Sequence, residues 1–395
     1  MNMKNLKSKI VKILKIIFRF NAMYFSMLIP KNKKLMIFGA WFGKKYDDNP
    51  KYLFEYVLAE RKDITAIWYT SDKQTFDKLT ELGYPVYMSN TWKSIRTAMR
   101  AKYFFTATSR EDIGWMDANF TGNAVHVELW HGIPLKKIMY DNDFITKDTF
   151  KQKVSAKLSY PPFRKDYVVS TSDTITDIYL RAFRKKADYV AQLGQPRNDY
   201  FYSEHTNPFK ERFNGKKIIL YMPTHRNVGK IQIDVEALMD LDRINELCLK
   251  NNCIFLIKKH FYHSSDDPMK KKYEAVMDIT HEYVESQVLI DSADIMITDY
   301  SSCYIDYLLL DRPMVFFNYD MEHYLENDRT LYFEYDSVTP GPKCKTGDEL
   351  AETLMLLLSG NDSYKSKRRE VCDLFYSKDN QKAVSAKIID YFLNK

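Results

Sequence analysis

From Lys34 onward, short apolar runs alternate with segments whose apolar residues recur every three or four positions. KLMIFGAW reads as a buried strand, KYLFEYVLAER as a helix, ITAIWYT as a strand and KQTFDKLTELG as a helix. YPVYM, WKSIRTAMR and KYFFTAT continue as strand, helix and strand, and NAVHVELW ends the series. Such alternation predicts a parallel sheet with helical crossovers. After a looser stretch containing Pro161 and Pro162, DYVVS and YVAQLG predict two further strands around a helix starting near Ser172. The segment GQPRNDYFYSEHTNPF mixes turn formers with charges and places a domain boundary near residue 205.

The second half repeats the pattern. KKIILYMPT is a strand, DVEALMDLDRINELCLKNN one long helix, CIFLIKKH a strand, ADIMITDYSS a strand into a turn, CYIDYLLL a helix and RPMVFFN a strand. Two helical patterns, GDELAETLMLLLSG and NQKAVSAKIIDYFLNK, close the chain. The expected architecture is α/β: two doubly wound Rossmann-like domains, 34–205 and 206–395, facing a cleft, behind a segment 1–33 of different character. In such sheets ligands lie outside the carboxyl ends of the strands.

Charge sets the front segment apart. The chain carries a net +7, yet eleven lysines and arginines precede the first acid, Asp47, so the remainder carries −4. A nucleic-acid-coating protein would spread its positive charge over the body, so nucleic acid is not an expected partner. Leu6, Ile10, Ile13, Leu14 and Ile17 recur at helical spacing between the lysines. The longest uncharged run, Phe20 to Pro30, falls short of the roughly 20 residues needed to span a bilayer. A basic amphipathic helix on an anionic membrane surface is expected, against the plainer reading of a helix packed on the body with its lysines solvated. The five cysteines, Cys248, Cys253, Cys303, Cys344 and Cys372, have neither metal-ligand spacing nor a disulfide framework, which fits a reducing compartment.

Four apolar strands stop at polar clusters: ELW before His131 and Gly132, IILYMP before Thr224, His225 and Arg226, IFLIK before Lys259 and His260, and DIMIT before Asp299, Tyr300, Ser301 and Ser302. His131 at a strand tip is either a base aimed into a cleft or an ordinary histidine in a turn. Ser301 and Ser302 open the helix CYIDYLLL, where free backbone N–H groups and two hydroxyls suit a phosphate; the alternative is a simple cap by Asp299 or Ser301. Asp306, four residues on from Ser302, would lie on the same helix face and accept from ligand hydroxyls. Arg226 and His260 would clamp or neutralise a phosphate. No dinucleotide or P-loop fingerprint and no metal-ligand set occurs, so no cofactor and no metal are expected.

LWHGIPLKK, LGQPRNDYF, ILYMPTHR and SADIMITDYSSCYIDYLLLDRPMVFFNYD, in this order, resemble the CDP-glycerol glycerophosphotransferase family of teichoic-acid primases and polymerases. The resemblance runs from about Trp130 to Pro342. It implies a GT-B-like fold and transfer of glycerol phosphate from CDP-glycerol to a hydroxyl of a lipid-linked saccharide acceptor, with release of CMP. It places the protein peripherally on the cytoplasmic side of the cell membrane. Carried over by motif, it implies His131 and His260 as catalytic, His131 being the base, with His260 also against the donor. Gly132, Pro134, Arg197, Thr224, Arg226, Ser301, Ser302 and Asp306 are implied as donor-binding. Ile133 stands where the family usually has threonine after His-Gly, which leaves CDP-ribitol open as the donor. Two other readings are a GT-B glycosyltransferase that releases a nucleoside diphosphate, and a non-catalytic membrane-bound assembly partner.

Overall fold

The computed structural model describes residues 3–142, 165–224, 234–259, 269–321, 324 and 330–395, with only the backbone of residues 3–10 and 12. The chain divides into two units: Met1–His131 with Ile145–Asp199 and Lys382–Lys395, and Gly132–Phe144 with Tyr200–Gln381. This differs from a single cut at 205. The last helix, Val384–Leu393, returns to the first unit, where Val384, Ile388, Ile389 and Phe392 join the core. The Asp199 carboxylate holds the start of that helix, accepting from the N–H groups of Val384 at 2.8 Å and Ser385 at 2.7 Å. A return of this kind leaves no local mark in sequence.

The described residues of the first unit form seven parallel strands: β1 Asn32–Gly39, β2 Thr65–Thr70, β3 Val86–Met88, β4 Ala101–Thr106, β5 Val125–Glu128, β6 Lys165–Ser170 and β7 Val190–Gln192. Their order is β3-β2-β1-β4-β5-β6-β7. Along β1, Met36 and Phe38 enter one apolar cluster and Leu35 and Ile37 enter another, so both faces of the sheet are covered.

Among the described residues the second unit has six parallel strands: β8 Lys217–Tyr221, β9 Cys253–Ile257, β10 Val276–Asp278, β11 Ile295–Thr298, β12 Met314–Phe317 and β13 Lys343–Cys344, in the order β10-β9-β8-β11-β12-β13. The strand order reverses between β1 and β4 in one sheet and between β8 and β11 in the other. These are the switch points where doubly wound folds open a crevice.

Three local expectations need correction. The expected long helix breaks at Asp240, whose left-handed φ of 50° separates Val235–Met239 from Leu241–Lys250 while its carboxylate caps the second piece. A further helix, Lys365–Phe375, lies between the two expected at the end of the chain. The short strands β10 and β13 were also not expected.

A helix spans Met3–Met27. Its last turns bury Ala22, Met23 and Ser26 against the first unit. The Ser26 hydroxyl accepts from Gly122 N–H at 2.8 Å, the Asn123 amide donates to the Met27 carbonyl at 3.2 Å, and Phe18 stacks on Trp115. A Cβ on Gly122 would stand 2.3 Å from the Met23 carbonyl oxygen, so glycine is what admits the helix this closely. Other positions on the helix, among them Val11, Ile13, Leu14, Ile17 and Phe25, are exposed, as is Leu28 just after it. No described helix is long and apolar enough to cross a membrane.

Candidate functional site

At the switch point of the first sheet, the ends of β1, β4 and β5 bring Trp41, Ala107 and His131 together. Past β5 the backbone turns sharply, with Trp130 at φ 58° and Gly132 at φ 142°. The glycine φ is one that L side chains rarely adopt, which explains the residue type there. The His131 ring is half-buried, with ring centroids of Trp130 at 4.1 Å and Trp41 at 5.3 Å. Its Nδ1 faces the Ala107 carbonyl at 3.3 Å. A carbonyl only accepts, so Nδ1 carries the proton and the neutral ring keeps its lone pair on Nε2. Burial lowers the imidazole pKa from its ordinary 6.5, opposed by the nearby Asp48 carboxylate. At neutral pH the ring is therefore uncharged and able to accept a proton.

Two side chains fix this turn, Asn49 at the start of the helix Asp48–Glu60 and Arg197, which is tied to that helix start. The Asn49 amide donates to the Trp130 carbonyl at 2.8 Å. Arg197 Nη1 donates to the next carbonyl, that of His131, at 3.1 Å and to Asp48 Oδ1 at 2.9 Å. The Arg197 N–H donates to Asn49 Oδ1 at 3.1 Å. Asp112, fully buried, accepts from the N–H groups of Phe42, Ala107 and Thr108, joining the ends of β1 and β4 beneath the histidine. Sequence reasoning missed Trp41, Asp48, Asn49 and Asp112. The available signal was Asp47-Asp48-Asn49-Pro50, three polar residues at a helix start where a cap needs one. Arg197 was expected against the donor; its Nη1 holds the histidine turn.

The second sheet gathers a separate set at its own switch point. Thr224 follows β8, and Ser301 and Ser302 follow β11. Between them the buried Asp299 carboxylate accepts from Thr224 N–H at 2.9 Å and Tyr300 N–H at 2.5 Å, tying the two strand ends together. Ser302 stands at the N-cap of Cys303–Tyr307 without a side-chain capping bond, and Ser301 Oγ lies at a long 3.5 Å from the Cys303 N–H. Capping therefore does not account for the Ser302 hydroxyl and accounts for that of Ser301 only by this long contact. Lys259, at the end of β9, pairs with Asp278 at 3.4 Å. His225, Arg226 and His260 lie outside the described residues.

Asp306 is not placed as expected. It is 2% exposed, and its two carboxylate oxygens accept from Gln287 at 3.0 Å and the Tyr376 hydroxyl at 2.6 Å. The helix carrying it is five residues long and turns that side chain inward. Asp306 braces the second unit. Pro134 and Ile133 are likewise buried. The backbone after Pro134 is held by Leu331 and its neighbours, with Tyr332 N–H donating to the Leu135 carbonyl at 2.9 Å. Those two side chains contribute to packing in the second unit.

A curated teichoic acid poly(glycerol phosphate) polymerase from Bacillus spizizenii is 32% identical over 370 residues, 88% of this chain and 88% of that protein. A Staphylococcus aureus teichoic acid glycerol-phosphate transferase is 29% identical over 362 residues, 88% of this chain and 89% of its own. The solved structure of the wall teichoic acid polymerase TagF shares the fold, with a TM-score of 0.78 at 24% identity over 100% of this chain and 98% of that one. The family described as CDP-glycerol:poly(glycerophosphate) glycerophosphotransferase matches residues 21–394. With that match, and with the histidine turn and the serine pair each at a sheet's switch point, the chain belongs to the CDP-glycerol:poly(glycerophosphate) glycerophosphotransferase family.

Proposed function

We propose that this chain transfers glycerol phosphate from CDP-glycerol to a hydroxyl of a lipid-linked saccharide acceptor, releasing CMP, in the synthesis of teichoic acid or a related cell-surface polymer. The observation that carries the mechanism is the neutral His131 ring with its proton held on Nδ1 by the Ala107 carbonyl. Nε2 takes the proton of the acceptor hydroxyl as its oxygen bonds to the β-phosphorus of the donor. The bond from that phosphorus to the bridging oxygen breaks, and the electron pair leaves with CMP. Thr224, Ser301 and Ser302, with Arg226 and His260, hold the diphosphate and offset the charge that develops on the leaving group.

The test is to supply the purified protein with CDP-glycerol, CDP-ribitol and a panel of nucleotide sugars, each with a lipid-linked disaccharide acceptor. Mass spectrometry then identifies the released nucleotide and the extended lipid. CMP with one added glycerol phosphate is expected. Ribitol phosphate addition would change the donor, and a nucleoside diphosphate would overturn the reaction class.

The reading places the protein peripherally on the cytoplasmic face of the membrane. Its support is the exposed apolar set on a lysine-rich helix, with Ile13 56%, Leu14 58% and Ile17 51% exposed. Removing the whole helix would also uncover the Gly122 groove, so point changes discriminate better. Leu14→Glu/Ile17→Glu is expected to abolish flotation with anionic vesicles while leaving the melting temperature near wild type. Unchanged flotation would refute the placement.

A further inference from the structure

At the amino ends of the first sheet, the edge opposite His131, a pocket of about 270 Å³ opens beside the N-terminal helix. Lys31 before β1, Lys102 at the start of β4, Arg110, and Lys165 at the start of β6 all line it. Met23 and Met27 of the helix form one wall, and Thr121–Ala124 complete the lining.

Four cations in one pocket need an explanation. Among the described residues an acid partners only one of them: Arg110 pairs with Asp166 at 3.0 Å and lies 3.4 Å from the Thr121 hydroxyl. Asp166 is shared further, facing His126 Nδ1 at 3.4 Å. Lys31 Nζ donates to the Met99 carbonyl, which is polar but uncharged. Lys31 is lowered to about 8 by burial and by Lys102, while Lys102 is itself lowered by burial, Lys165 and Lys33. Lys102 thus repels both Lys31 and Lys165, and among the described residues no acid pairs with any of the three, an arrangement that an anion would relieve.

The helix indicates where the anion comes from. Met23 and Met27 line the pocket, and Tyr24 on the same helix and Leu28 just past its end are exposed at 48% and 82%, with Phe25 at 56%. A phosphate in the pocket would have its ester substituent beside an unburied apolar stripe. We propose that this pocket binds the phosphate of an anionic phospholipid headgroup, with the acyl chains running along Tyr24, Phe25 and Leu28. The inference rests on the membrane reading of the helix and deepens it: a specific headgroup seat accompanies the general attraction of lysines to an anionic surface.

Full-length protein is compared with Lys102→Ala/Lys165→Ala and with Lys78→Ala/Lys186→Ala, which removes the same charge from exposed positions elsewhere. Flotation is measured with phosphatidylcholine vesicles with and without phosphatidylglycerol, and melting temperature with short-chain phosphatidylglycerol or inorganic phosphate. Binding to the mixed vesicles should weaken roughly thirtyfold in the pocket variant, from about fivefold per lysine near an anionic surface, and hardly change in the control. Short-chain phosphatidylglycerol should raise the melting temperature of the wild type and the control but not that of the pocket variant. Without ligand, the pocket variant should melt at or above the wild-type temperature, because repulsion has been removed. Equal weakening in both variants would overturn the site in favour of general surface charge. A rise with inorganic phosphate as large as with the lipid would overturn the lipid assignment. If wild type fails to float at all, the membrane reading fails; a lysine-dependent rise with short-chain lipid would then still uphold the pocket, and its absence would end it.

Discussion

His131→Ala is expected to lower transfer from CDP-glycerol by about 10²–10⁴-fold, the usual worth of a general base, with the fold intact. The ring is half-buried at the end of β5, and its described hydrogen bond is a single one to the Ala107 carbonyl at 3.3 Å. Its loss disturbs little packing and leaves no buried charge. The wild-type pH profile supplies an independent check. A base works only when deprotonated, and this imidazole is lowered from 6.5. The acid limb of kcat/KM should therefore have its inflection below 6.5, and this group should cause no loss between neutrality and mild alkali. Turnover of His131→Ala within a few-fold of wild type would remove the histidine from the mechanism. An acid limb above 6.5 would contradict the buried, neutral state.

The alternation of strands and helices was legible because short unbroken apolar runs and longer stretches with a period near 3.6 succeed each other along the chain. The strand tips at His131 and at Ser301 were legible for a related reason: a buried parallel strand reads as an unbroken apolar run, so the first polar residue marks its carboxyl end. What escaped was set by tertiary context. β10 and β13 are three and two residues long and offer no period to detect. The break at Asp240 depends on one left-handed residue inside an otherwise continuous helical pattern. Asp306 was placed on the ligand face by its spacing from Ser302. Spacing fixes a face relative to other residues of the helix, and the surrounding partners, Gln287 and Tyr376, decide where that face points. Asp48 and Asn49 were hidden because a polar helix start is explained by capping alone until its neighbours are known.

Arg197→Ala is expected to destabilise the first unit by about 3–5 kcal/mol, the usual cost of removing one partner of a buried ion pair. Asp48 is 8% exposed, and Arg197 Nη1 stands 2.9 Å from its carboxylate. For a unit of this size the loss corresponds to a fall in melting temperature of roughly 10 °C. Asp48→Asn in the same background should restore part of it, since the stranded charge is gone. The two single variants should also move the histidine in opposite directions. Arg197 lowers the His131 pKa and Asp48 raises it. Removing the arginine should shift the acid limb of kcat/KM upward in pH, and Asp48→Asn should shift it downward, which a purely structural role would not do. Because the arginine also holds the His131 carbonyl at 3.1 Å, kcat should fall more than KM rises. The opposite result, an unchanged melting temperature with a large rise in KM for CDP-glycerol, would show that Arg197 contacts the donor as its motif implied, and that the histidine turn is held by Asn49 alone.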